Sequence, residues 1–129
     1  MELLGRNRLM DELLRAGLEI ALPIRDRGID LLVYADQKKK FAAVPVQMKA
    51  SSKQSFGLSQ KYAKFPGLLL AYIWNIERMG HEETFALTYG EALRVAKKMG
   101  WTATVSWGVG RMSTTNQGRN LEDSLSHTG

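Results

Sequence analysis

The chain has 129 residues, 44% hydrophobic and 24% charged, which fits one globular domain with a single core and excludes a disordered chain. It contains no cysteine, so disulfides, thiolate metal sites and cysteine nucleophiles are excluded. A net charge of +5 and a pI of about 9.6 favour a polyanionic partner, and the charge is unevenly spread. From Gln37 to Ile76 there is no Asp or Glu, whereas Lys38, Lys39, Lys40, Lys49, Lys53, Lys61 and Lys64 all fall there.

In chain order, residues 3–16 predict a helix with a stripe of Leu3, Leu4, Met10, Leu13 and Leu14, ended by Gly17. "LEIALP" (18–23), "IDLLVYA" (29–35) and "FAAVPVQMK" (41–49) read as three strands of a meander, the last two joined by the polar turn "DQKKK". Pro45 inside the third run points to an edge or a bulge, because proline donates nothing to a ladder. "ASSKQSFGLSQ" reads as a polar loop, "KYAKF" as a helical turn, and "LLLAYIWN" (68–75) as a strand covered on both faces. "TFALT" (84–88) is a further strand. Thr88 and Glu91 then form a capping box for "GEALRVAKKM", which Gly100 closes. "TATVSW" (102–107) predicts a last strand.

Residues 1–110 thus predict a single domain of the α/β (α+β) class, a central mixed sheet flanked by helices in the order αβββ(α)ββα. Residues 111–129 predict a polar C-terminal tail. The N-terminal "MELLGRNRLMDELLR" lacks the apolar core of a signal peptide, and "GLLLAYIW" (67–74) is too short to span a bilayer. The expectation is a cytoplasmic protein with no membrane partner.

Three polar residues stand out among the strand-like runs: Asp30, Gln47 and Lys49. Side chains alternate along a strand, so Gln47 and Lys49 share a face that Val46 and Met48 do not. Pairing of 29–35 with 41–49 brings Asp30 to the same end of the sheet. The Asp30 carboxylate, the Gln47 amide oxygen and the Met48 backbone carbonyl are hard oxygen donors suited to Mg²⁺ or Mn²⁺. Lys49 beside them would hold or activate an attacking water, or counter charge growing on a phosphate. Ser51, Ser52 and Lys53 follow directly and, with Lys38, Lys39 and Lys40, are candidate phosphate contacts.

"GID", followed after a hairpin by "VQMK", resembles the restriction-endonuclease-like PD-(D/E)XK nuclease superfamily, which includes Holliday-junction resolvases and homing-type endonucleases. The likeness covers residues 3–75. It implies a restriction-endonuclease-like fold and a divalent-metal-dependent DNA endonuclease, with Asp30 the metal-binding acid, Gln47 the second ligand and Lys49 the catalytic lysine. Gly28-Ile29 stands where the family often has a proline. Many members carry a metal-binding Glu on the sheet-facing side of the first helix. Helical periodicity puts Asn7 there, beside Leu3, Met10 and Leu14, and Glu12 on the opposite side.

The implied partner is duplex or branched DNA, and cutting both strands implies a homodimer. Two other classes fit the sequence. One is a catalytically weak or inactive nucleic-acid-binding module on this fold; the other is an oligomeric structural protein built on the aromatic C-terminal half. His81 and His127 have no metal-ligand spacing, and Trp74, Trp101 and Trp107 read as core or interface aromatics.

Overall fold

The computed structural model describes residues 2–25, 27–37 and 40–115. The elements run α1 (Glu2–Arg15), β1 (Glu19–Ala21), β2 (Leu31–Gln37), β3 (Lys40–Ala50), β4 (Ser55–Ser59), a 3₁₀ turn (Gln60–Lys64), β5 (Leu69–Trp74) and β6 (Glu83–Thr88). There follow α2 (Tyr89–Lys98), a second 3₁₀ turn (Trp101–Ala103), α3 (Val105–Gly108) and β7 (Arg111–Thr115). Five strands form one mixed sheet in the order β1-β2-β3-β5-β6, and β4 and β7 form a separate two-stranded ribbon. The meander is antiparallel, β3 and β5 are parallel, and β6 returns antiparallel.

Pro45 pairs with Leu32 on β2, while the ladder to β5 begins only at Val46. It therefore sits on a stretch of β3 with a neighbour on one side alone, the edge-like place that proline tolerates. Among the described residues no helix is long and apolar enough to cross a membrane.

Period-two alternation sorts the central strands onto two cores. Val46 and Met48 join Ala71, Ile73, Leu31 and Leu9 under α1. On the other face Leu70, Tyr72 and Trp74 pack with Phe56 and Leu58 of the ribbon and with Ala92, Val95 and Ala96 of α2. That helix is capped as its sequence predicts: Thr88 accepts from the Glu91 N–H, and the Glu91 carboxylate accepts from the Thr88 N–H.

The stripe of α1 differs from the expected one. Leu3 and Leu14 are 59% and 55% exposed, whereas Gly5 and Leu9 are buried against β3. Counting apolar side chains overlooks Gly5, whose missing side chain is what lets the helix approach: a methyl group there would lie 2.5 Å from Ala50 Cβ. Gly5→Ala is therefore expected to destabilise the protein by about 1–3 kcal/mol, read by urea denaturation, although alanine favours helix.

Two further expectations are corrected. "ASSKQSFGLSQ" is a loop only over 51–54: beyond it Phe56 and Leu58 alternate with Ser55, Gly57 and Ser59 as β4, whose partner is β7 within the expected tail. "TATVSW" is helical rather than extended. Gly100, at φ 81°, turns the chain, and Thr104 caps α3, donating to the Trp101 carbonyl at 2.8 Å and accepting from the Trp107 N–H at 3.1 Å. A threonine able to make both bonds outweighs the strand preference of its β-branched neighbours.

Candidate active site

The β2–β3 ladder ends at Leu31–Val46, and just before it Gly28 adopts φ 100°, a conformation strained for other residues. The turn lets Ile29 pack on the ribbon-side core and delivers Asp30 to β3. There the Asp30 N–H donates to the Val46 carbonyl at 2.8 Å, and its Oδ2 accepts from the Met48 N–H at 2.7 Å. The carboxylate thus takes over as acceptor where the β2–β3 ladder has ended.

Gln47 and Lys49 project from the face opposite Val46 and Met48, in register with Leu70 and Tyr72 of β5. The Gln47 Oε1 is buried and has no hydrogen-bond partner among the described residues. An orphaned buried amide oxygen is costly, and it marks a place where a cation or donor would be accommodated. Lys49 Nζ donates to the Tyr62 hydroxyl at 3.3 Å and lies 5.1 Å from the centre of its ring. Burial pushes the Lys49 pKa below its ordinary 10.5; the Asp30 carboxylate opposes that shift, and the Arg111 guanidinium adds to it.

These groups open into a cleft of about 920 Å³ between β3 and the ribbon. Its charged lining is Asp30 against Lys49, Lys61 and Arg111, with hydroxyls from Ser51, Ser55, Ser59, Ser106 and Ser113. Two buried β5 side chains hold the ribbon wall in place. The Tyr72 hydroxyl donates to the Gly57 carbonyl and Trp74 Nε1 to the Ser55 carbonyl, each at 2.7 Å. Burial, with Tyr62 nearby, drives the Tyr72 pKa far upward, so the phenol remains a donor.

The structure brings Asp30, Gln47, Met48 and Lys49 together, with Ser51 beside them. It does not bring Asn7 there. Asn7 is exposed on α1, and α1 covers the Val46–Met48 face, whereas the cleft lies on the Gln47–Lys49 face. Glu12, expected on the outer side, is tied to the sheet instead: it pairs with Arg8 at 2.9 Å and accepts from Thr84 Oγ1 at 3.3 Å.

Ser52 and Lys53 lie past the cleft lining, and the Lys53 N–H is spent on Ser51 Oγ at 3.1 Å. Lys40 is at the far end of β3, paired with Gln37 and about 30 Å along the strand from Lys49. Lys38 and Lys39 lie outside the described residues. Tyr62, Lys61 and Arg111 are cleft residues that the sequence reading missed. The alternation of Phe56 and Leu58 was the available signal for the wall that carries them.

No family model matches this sequence, and no curated protein matches it either.

The depressed Lys49 pKa has a measurable consequence. The folded protein releases this proton at a lower pH than the unfolded chain, so between the lowered value and 10.5 the unfolded state binds more protons. The Lys49 contribution to unfolding free energy therefore rises with pH across that window. Lys49→Met is expected to abolish this part of the slope and to be at least as stable as wild type near neutral pH, because a desolvated ammonium is gone. Urea denaturation of both proteins across that range gives the difference directly.

Proposed function

We propose that the protein is a metal-dependent phosphodiesterase acting on nucleic acid, on a restriction-endonuclease-like variant of its mixed α/β fold. One observation carries the reading: a carboxylate, an orphaned amide oxygen and a desolvated lysine converge in a cleft whose other charges are cationic. The crossover from β3 to β5 runs through β4 and a 3₁₀ turn, where the expected order placed a helix.

Asp30 and Gln47 suit a hard divalent cation, since both offer oxygens and one is an unsatisfied buried acceptor. Mg²⁺ or Mn²⁺ held there would supply Lewis acidity and an acidified water. On this reading Lys49, partly desolvated and hydrogen-bonded to Tyr62, would orient the attacking water or counter charge growing on the oxygens of the pentacoordinate phosphorus. A duplex cut on both strands would engage two copies of the chain.

The test is cleavage of supercoiled plasmid and of a branched DNA with Mg²⁺ or Mn²⁺, comparing wild type with Lys49→Ala. Metal-dependent nicking that falls by about 10²–10⁴-fold in the variant is the expected result. Undiminished cleavage by Lys49→Ala would overturn the assignment. A second reading is favoured by a specific observation: among the described residues no three His, Cys, Asp or Glu side chains are grouped to hold a metal. On that reading the cleft binds nucleic acid without cutting it, and salt-sensitive binding with no cleavage in either metal would select it.

A further inference from the structure

The ribbon wall carries two cations that the chemistry above leaves without a role, Lys61 and Arg111. Arg111 opens β7 directly opposite Ser59, and Ser59 caps the 3₁₀ turn that bears Lys61 and Tyr62. Gln60, between them, locks the two segments together. Its N–H donates to the Gly110 carbonyl and its Nε2 to the Trp107 carbonyl, each at 2.7 Å. Ser106 Oγ fixes the same corner by donating to the Arg111 carbonyl at 2.9 Å. Lys61 Nζ lies 5.3 Å from the Tyr62 ring centre, and neither Lys61 nor Arg111 forms an ion pair with a described residue.

Both cations line the cleft on the side facing Lys49. Three like charges held around one concavity by a rigid backbone repel one another, and a bound anion relieves that repulsion. Arginine's fork matches two phosphate oxygens, while lysine acts as a point charge.

We propose that Arg111 and Lys61 form a phosphate subsite where the β4–β7 ribbon meets the 3₁₀ turn after β4, taking a backbone phosphodiester next to the one that would lie over Asp30, Gln47 and Lys49. This rests on reading the cleft as a nucleic-acid site, but not on cleavage. DNA and RNA share the phosphodiester chemistry, so both are probes.

The experiment is equilibrium binding of short labelled DNA and RNA duplexes of one sequence over a salt series, with EDTA present so that no metal contributes. Wild type is compared with Arg111→Gln, Lys61→Gln and Arg94→Gln; the last is an exposed α2 residue outside the cleft. Thermal melting checks that each variant is folded.

Arg111→Gln and Lys61→Gln are each expected to weaken binding about three- to tenfold and to reduce the salt slope by about 1, with Arg94→Gln near wild type. The duplex that shows the larger loss identifies the preferred nucleic acid. Slopes and affinities unchanged in both cleft variants, an equal loss in Arg94→Gln, or no binding of either duplex by wild type would overturn the subsite. Arg111-dependent binding without cleavage in Mg²⁺ or Mn²⁺ would leave the subsite standing and remove the phosphodiesterase reading. Cleavage with wild-type binding in both cleft variants would do the reverse.

Discussion

Asp30→Asn is expected to keep the fold and lose the proposed metal-dependent cleavage, whereas Asp30→Ala is expected to damage both. The difference lies in the bond from the Met48 N–H to Asp30 Oδ2. An asparagine amide oxygen can still accept that bond, so Asp30→Asn should stay within about 1 kcal/mol of wild type. Alanine leaves the Met48 N–H without its acceptor, a cost of about 1–3 kcal/mol. Cleavage should fall by at least about 10²-fold in both, since each removes the negative charge that a divalent cation needs.

The asparagine variant has a second signature. Asp30 is the group that raises the Lys49 pKa against burial, so removing its charge should lower that pKa further. The window in which stability climbs with pH would then start at lower pH than in wild type. Urea denaturation, plasmid nicking and a Lys49 titration followed by NMR report the three effects separately. An Asp30→Asn protein that still nicks at the wild-type rate would remove Asp30 from the chemistry.

Trp74→Ala is expected to cost about 3–5 kcal/mol, a large part of the 5–15 kcal/mol available to an ordinary domain. Trp74 is fully buried, tilted against Phe85 at 4.9 Å, and it gives its indole N–H to the Ser55 carbonyl. The milder Tyr72→Phe isolates the ribbon attachment. It keeps the ring stacked on Phe56, 4.8 Å between centres, and deletes only the donor to the Gly57 carbonyl. The orphaned carbonyl should cost about 1–3 kcal/mol. Because Gly57 faces the Lys49 stem, with its hypothetical Cβ 3.7 Å from Lys49 Cδ, loosening it should also weaken the proposed nucleic-acid binding. Urea melts and duplex titration of Tyr72→Phe test both effects, and full stability with unchanged binding would show that the ribbon is held by apolar packing alone.

The parts of the fold readable in the sequence are those set by local rules. Alternation along β3 separates Gln47 and Lys49 from Val46 and Met48, and a short hairpin brings Asp30 to them, so this half of the site needs only neighbouring residues. The Thr88–Glu91 box is equally local. The other half depends on β4 meeting β7, a pairing across almost half the chain, and neither strand carries an apolar run long enough to announce itself. Arg111 therefore reads as part of a tail and Lys61 as part of a turn. On α1 the obstacle is different: one of the positions closest to β3 is a glycine, invisible to any count of hydrophobic side chains, and the exposed Leu3 and Leu14 draw the stripe to the wrong side.

The pairing of β4 with β7 also orders events in time. A ribosome delivers every strand of the five-stranded sheet, and with it Asp30, Gln47 and Lys49, before Arg111–Thr115 emerges. Closing β4 onto β7 then carries the entropy of a long loop, which makes it a late step in folding as well. Until Arg111–Thr115 has emerged, a nascent chain carries Asp30, Gln47 and Lys49 without the β7 side of the cleft.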